Sequence, residues 1–193
     1  MIREKKIYLL LTDTGTLLTR MIKSYTKKPY NHASIAFDAD LNEVYSFGRK
    51  RARNPVIGGF VREDLHSVIF EEANCAIYSL TIPEEEFQKM YEYIQNIAAK
   101  KENYRYNFIG LFGVLFNKPI KRNNAFFCSQ FVASVLKESK VIDFDKDLSL
   151  IAPSELPHLA DFQLVYEGRL LDYQNSVCNK SVHVSYPLVS IEM

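Results

Sequence analysis

The chain predicts an α+β fold in which an antiparallel sheet packs against a separate helical layer. Three observations lead there. Short apolar or alternating segments at residues 7–11, 32–37, 43–48, 75–82 and 162–166 have the length and the β-branched and aromatic content of strands. Residues 84–100 and 128–136 instead repeat their apolar side chains at helical spacing. The order of the two kinds of segment is mixed, with the helices clustered apart from the strands.

At 193 residues and 47% hydrophobic side chains, the chain can fill one full core and reads as a single domain over 1–193. The core spans about 7–166 and a C-terminal extension follows. A net charge of +1 argues against bulk electrostatic capture of nucleic acid. Three cysteines at wide spacing form neither a disulfide framework nor a zinc site, which suits a reducing compartment. The charged opening Met1–Lys6 precedes only five apolar residues, Ile7 to Leu11, too few for a signal peptide or a bilayer span. The expectation is a soluble, cytoplasmic protein without stable membrane insertion.

In order, Ile7 to Leu11 is a buried strand and Thr12 to Thr16 a loop. Leu17, Leu18, Met21 and Ile22 then mark a short helix to about Ser24. His32–Phe37 and Glu43–Gly48 flank an Asp/Asn-containing turn, a hairpin signature. Alternation puts Ala33, Ile35 and Phe37 on one face and His32, Ser34 and Ala36 on the other. With Phe37 opposite Glu43, Ser46 falls opposite Ser34 on the histidine's face; a slip of one residue presents Glu43 or Tyr45 instead.

Arg49 to Arg53 reads as a basic, solvated loop that continues through Asn54–Gly59, with strands next at 67–70 and 75–82. Pro83 followed by Glu84, Glu85 and Glu86 opens a helix, because proline suits the first turn and acids suit its positive end. Its apolar stripe is Phe87, Met90, Tyr91, Ile94 and Ile97. Residues 103–124 are aromatic and rich in loop formers, the profile of a functional loop or lid. Within them, Phe108–Phe116 reads either as a core helix or as a face for lipid-like substrates. Asp143–Leu150 is a loop, Pro153 starts a short helix, and Phe162–Tyr166 is a strand. The tail from Tyr173 carries little pattern beyond a late strand at Val182, Val184 and Tyr186.

The chemistry concentrates at Cys128. It begins the helical pattern Phe131, Val132, Val135, Leu136, so its thiol meets the unpaired N–H groups and positive dipole of a helix N-terminus, which favour thiolate. By position alone it is equally readable as an inert core thiol. Cys75 lies in an apolar strand and Cys178 in the tail, and both read as structural. Of the four histidines, His66, His158 and His183 have no companion ligand or nucleophile, and no pair has metal-ligand spacing. His32 starts a strand on a face of small residues. A cysteine at a helix start and a histidine on the strand packed beneath it form the papain-like solution to thiol activation.

Here the histidine precedes the cysteine, and the chain resembles the permuted papain-like amidases of the YiiX type, within the NlpC-like cysteine hydrolase superfamily. The resemblance rests on Asn31-His32-Ala33-Ser34-Ile35-Ala36 and, about a hundred residues later, Phe127-Cys128-Ser129-Gln130-Phe131-Val132. The Thr14-Gly15 turn and Pro153-Ser154-Glu155-Leu156 support it, and it covers roughly Ile7 to Tyr166. It implies a permuted NlpC-type fold, a thiolate at Cys128, a general base at His32 and no metal or organic cofactor. The implied third residue, an orienting group on the strand after the histidine, matches Ser46, with Glu43 as the alternative. The Cys128 N–H is the first oxyanion donor, and the second comes from Tyr104, Tyr106 or the Thr14-Gly15 loop. The substrate so implied is a small-molecule, peptide or lipid-like acyl compound. The lecithin:retinol acyltransferase group shares the permuted order, so acyl transfer stands beside hydrolysis, and a binding module without turnover beside both.

Overall fold

In the computed structural model, residues 3–13, 28–51 and 54–183 are described; Thr14, Gly15 and the helix expected at 17–24 lie outside them. The fold is α+β, built on a six-stranded sheet in the order β4-β3-β2-β1-β5-β8 with every neighbouring pair antiparallel. Its strands are β1 (Glu4–Asp13), β2 (His32–Ala36), β3 (Val44–Arg51), β4 (Asn54–Arg62), β5 (Asn74–Pro83) and β8 (Gln163–Arg169). Strand β1 lies inside the sheet between β2 and β5, and its run from Leu9 to Leu11 is buried because both faces of the sheet are covered.

One face carries helices α1 (Glu84–Ala99) and α3 (Cys128–Glu138). Met90, Ile94 and Ile97 of α1 and Phe131, Val132, Val135 and Leu136 of α3 meet Ile7, Leu9, Ile35, Phe47 and Phe60 of the sheet. Pro83 caps α1, with the three glutamates in its first turn as the sequence predicts. The other face is covered by Leu65, Phe70 and Ala73 and by Leu170 and Tyr173 of the last helix, α4 (Leu170–His183).

Four expectations are corrected. Asn54–Gly59 is not loop but the start of β4, hairpinned to β3 with Tyr45 opposite Arg62 and Gly48 opposite Gly59. The two glycines belong in a strand because another backbone comes close: a Cβ on Gly58 would lie 2.8 Å from Cβ of Tyr106, and one on Gly59 3.2 Å from the Tyr104 carbonyl oxygen. Residues 67–70 are not a strand, since the Ser67 and Phe70 N–H groups bond backward to Asp64 and Ser67 in successive turns. Val182 belongs to α4 rather than to a late strand, because Leu170, Tyr173 and Val177 make a helical stripe against the sheet. Val184 and Tyr186 lie outside the described residues.

The fourth concerns residues 103–124, which are not a loop. A short parallel pair, β6 (Arg105–Tyr106) with β7 (Ala125–Phe126), clips the two ends of the segment together. Between them runs α2 (Phe108–Phe116), capped by the Asn107 side chain accepting from the Gly110 N–H at 3.0 Å. It is not a core helix, because Ile109, Phe112 and Phe116 are exposed.

Phe131 fixes the height of α3 above the sheet, with ring centroids 5.1 Å from Phe47 and 5.8 Å from Phe60. Truncating it leaves a cavity between the layers. Phe131→Ala is expected to lower unfolding free energy by about 3–5 kcal/mol in urea titrations. A loss below about 1 kcal/mol would mean that α3 does not depend on this contact.

Candidate active site

Strands β2 and β3 pair only at Ile35–Tyr45 and Ala36–Val44, so the His32–Ser34 half of β2 has no ladder partner on β3. The N-terminus of α3 comes up against that open edge. Phe127 takes the N-cap position in extended conformation and offers no side-chain cap, leaving the first N–H groups of α3 for other acceptors. The Cys128 sulfur takes hydrogen bonds from the Ala33 and Ser129 N–H groups and stands 4.0 Å from the Asn31 carbonyl oxygen. The Ser129 hydroxyl donates to the Ile151 carbonyl at 2.7 Å and pins the first turn to the chain before Pro153. Both Ser129 and Gln130 are buried.

His32 touches the thiol on one side and a carboxylate on the other. Its Nε2 lies 2.6 Å from Oε1 of Glu63, which leaves Nδ1 to face the sulfur. Glu63 follows directly on β4, and its N–H donates to the Val44 carbonyl. That pairing continues the β3–β4 register and sets its side chain on the face shared with Ser46 and Val61. The Ser34 hydroxyl donates to Oε2 at 2.8 Å and that of Ser46 to Oε1 at 2.5 Å. The carboxylate is only 5% exposed.

The charges of this group depend on each other. Burial alone would drive the His32 pKa down, but the charge of Glu63 and the hydrogen bond with Cys128 prevail and hold it up at about 10. Burial likewise opposes ionisation of Cys128, yet its hydrogen bond with His32, the His32 charge and the Ala33 and Ser129 N–H groups bring the thiol below its ordinary value. Glu63 also overcomes its burial, through the His32 charge and its three hydrogen bonds, and stays below the usual carboxylate range. The resting state is a thiolate–imidazolium pair anchored on a carboxylate. By contrast, burial pushes the Cys75 thiol up to about 12, and Cys178 is exposed on α4.

The group on the imidazole is therefore Glu63, and neither Ser46 nor Glu43. Ser46 acts one step further out, on the carboxylate, in the β2–β3 register that the sequence suggested. Glu43 points toward Arg62, 4.0 Å away. Of the tyrosines, Tyr106 is at the sulfur and Tyr104 is not. The parallel β6–β7 pair sets Tyr106 opposite Phe126, two positions before Cys128, and Gly58 leaves room for it. The Tyr106 hydroxyl meets both the thiol and the N–H of Cys128; burial, then the charge on Cys128, raise its pKa and keep it protonated. Tyr104 packs its ring against Phe47 and Phe126. Thr14 and Gly15 lie outside the described residues.

Beside Cys128 is a pocket of about 60 Å³ lined mainly by apolar groups, among them Tyr30, Leu111, Val114, Phe127 and Pro153. No group of three or more His, Cys, Asp or Glu among the described residues could hold a metal ion. None of their helices is long and apolar enough to cross a membrane. No family model, curated protein or solved structure matches the chain.

A thiol stabilised in this way alkylates at a pH where an ordinary one does not. With iodoacetamide and peptide mapping, Cys128 is expected to react with an acid-limb midpoint well below the ordinary thiol value of 9.0. Glu63→Gln removes the charge that sustains the imidazolium, so the His32 pKa falls, the Cys128 pKa rises, and this midpoint moves to higher pH. An unmoved midpoint would detach Glu63 from the pair.

Proposed function

We propose that this protein is a cysteine hydrolase that cleaves an amide or ester bond through an acyl-enzyme on Cys128, in the permuted papain-like arrangement of the YiiX type. The observation that carries the reading is the Cys128–His32–Glu63 chain, with the histidine and its carboxylate on consecutive parts of the sheet and the thiol on the helix N-terminus facing them.

In this reading the Cys128 thiolate attacks the carbonyl carbon and the C=O electron pair moves onto oxygen. The Cys128 N–H and the Tyr106 hydroxyl lie together at the sulfur and donate to that oxyanion. As the tetrahedral intermediate collapses, His32 gives its proton to the departing amine or alkoxide, and a thioester remains on Cys128. A water, deprotonated by His32, attacks the thioester; the carboxylic acid leaves and the thiolate–imidazolium pair is restored. Glu63 holds the ring's orientation and its charge throughout, with Ser34 and Ser46 fixing the carboxylate. The apolar lining of the pocket favours a second reading, in which a lipid-like acyl group is passed to an acceptor other than water.

The test uses a panel of p-nitrophenyl esters and peptide p-nitroanilides with acyl groups of increasing length, with intact-mass detection of the acyl-enzyme. Turnover and an acyl adduct on Cys128 are expected for the wild type, and neither for Cys128→Ala. Glu63→Gln should lower kcat/KM about 100-fold. The profile of kcat/KM against pH should be a bell whose alkaline limb lies near 10, where His32 loses its proton. Equal turnover by Cys128→Ala, or an adduct on Cys75 or Cys178 instead, would overturn the assignment.

A further inference from the structure

Helix α2, FIGLFGVLF, contains no polar side chain, yet only part of it is covered. Its inner side packs closely: a Cβ on Gly110 would lie 3.1 Å from the Phe127 ring, and one on Gly113 2.6 Å from the Lys118 carbonyl oxygen. On its outer side Ile109, Phe112 and Phe116 stand at i, i+3 and i+7 and are 52%, 58% and 65% exposed. Three large side chains aligned on one face are a contiguous apolar patch, which ordinary soluble surfaces avoid.

The charge beside the patch decides what covers it. Residues 103–137 contain Arg105, Lys118, Lys121, Arg122 and Lys137 and no Asp or Glu. The basic segment turns back along α2, since the Lys118 N–H donates to the Gly113 carbonyl at 2.9 Å. Lys121 pairs with Asp147 at 2.8 Å, while among the described residues no carboxylate pairs with Lys118 or Arg122. A second copy docked on the same face would bring these cations against their own counterparts, because a two-fold interface is self-complementary. A surface that is apolar in its depth and negative at its rim satisfies both features.

We propose that this face docks the protein on an anionic lipid membrane. Phe112 and Phe116 enter the boundary between headgroups and acyl chains, and Lys118 and Arg122 meet the lipid phosphates. Nine residues are too few to cross a bilayer, so the association is peripheral. Leu111 and Val114, on the same helix, line the pocket beside Cys128, so docking brings the mouth of the candidate site to the lipid surface. The docking itself does not depend on the hydrolase reading.

Flotation of the full chain with vesicles of phosphatidylcholine alone, or mixed with phosphatidylglycerol, tests the proposal. The wild type is expected to float with the anionic vesicles and not with the neutral ones, and less so as salt is raised. Phe112→Asp/Phe116→Asp and, separately, Lys118→Glu/Arg122→Glu are each expected to weaken binding roughly tenfold or more. Neither pair should change the melting temperature or the alkylation rate of Cys128, which shows that fold and site are intact. A wild type that stays unbound, or an aspartate variant that floats as well as the wild type, would overturn the proposal. So would a wild-type dimer that the aspartate variant converts to monomer, since the occupant would then be a second copy.

Discussion

A buried carboxylate is the constraint around which the site is arranged. Moving an ion the size of Glu63 out of water costs several kcal/mol even after the protein relaxes, and Glu63 is almost wholly enclosed. The penalty is met by partners whose positions come from different strands. Ser34 and His32 approach from β2, Ser46 from β3, and Glu63 itself from the end of β4. Replacing the cluster with apolar groups would serve stability as well or better, whereas removing one partner from such a pair typically costs about 3–5 kcal/mol. What the cluster achieves that an apolar core could not is a charged imidazole inside the protein, at a pH where free histidine is neutral.

The sheet makes this possible by failing to close. Had β2 and β3 continued their ladder past Ile35 and Ala36, the N–H of Ala33 could have been taken by β3, and the space between the strands would be filled. Instead that N–H reaches the Cys128 sulfur, and the gap accommodates the imidazole. Gly48 helps to keep the gap open, since a Cβ there would sit 3.5 Å from Cε1 of His32 and 3.3 Å from Oγ of Ser46. The uncapped start of α3 completes the arrangement from above. Backbone donors from a strand edge and a helix end thus share the thiolate, and neither element alone would stabilise it as far.

Half of this was legible in the sequence. Cys128 announces itself by standing where an apolar run changes to helical period, and His32 by opening a strand of small side chains; both signals are local. The β2–β3 register was legible too, because apolar alternation and the Asp38–Asn42 turn agree on it. Glu63 was not, and the reason is specific. Asn54–Gly59, with a proline and two glycines, looks like loop, and the property that makes it a strand is the proximity of Tyr104 and Tyr106 from a segment nearly fifty residues later. Once β4 is lost, nothing ties Glu63 to the histidine's face. Had the hairpin been extended through Val61 and Arg62, alternation would have set Glu63 beside Ser46. The tail failed for a different reason: the stripe Leu170, Tyr173, Val177 was present, but polar residues dilute it and only the uncovered second face of the sheet gives it meaning.

The clip formed by β6 and β7 links the chemistry to the surface. Two parallel residue pairs close a loop of some twenty residues, a small investment of hydrogen bonds for a long excursion of chain. At the near end of that excursion Tyr106 is delivered to the sulfur, and at the far side α2 is held out with its apolar residues in solvent. The same helix turns Leu111 and Val114 toward the pocket at Cys128. A displacement of α2 is therefore transmitted to both, through its Asn107 cap to Tyr106 and through Leu111 and Val114 to the pocket wall. Contact of its outer face with a lipid surface would act on the candidate oxyanion donor and the acyl pocket together, because one rigid turn of chain carries all three.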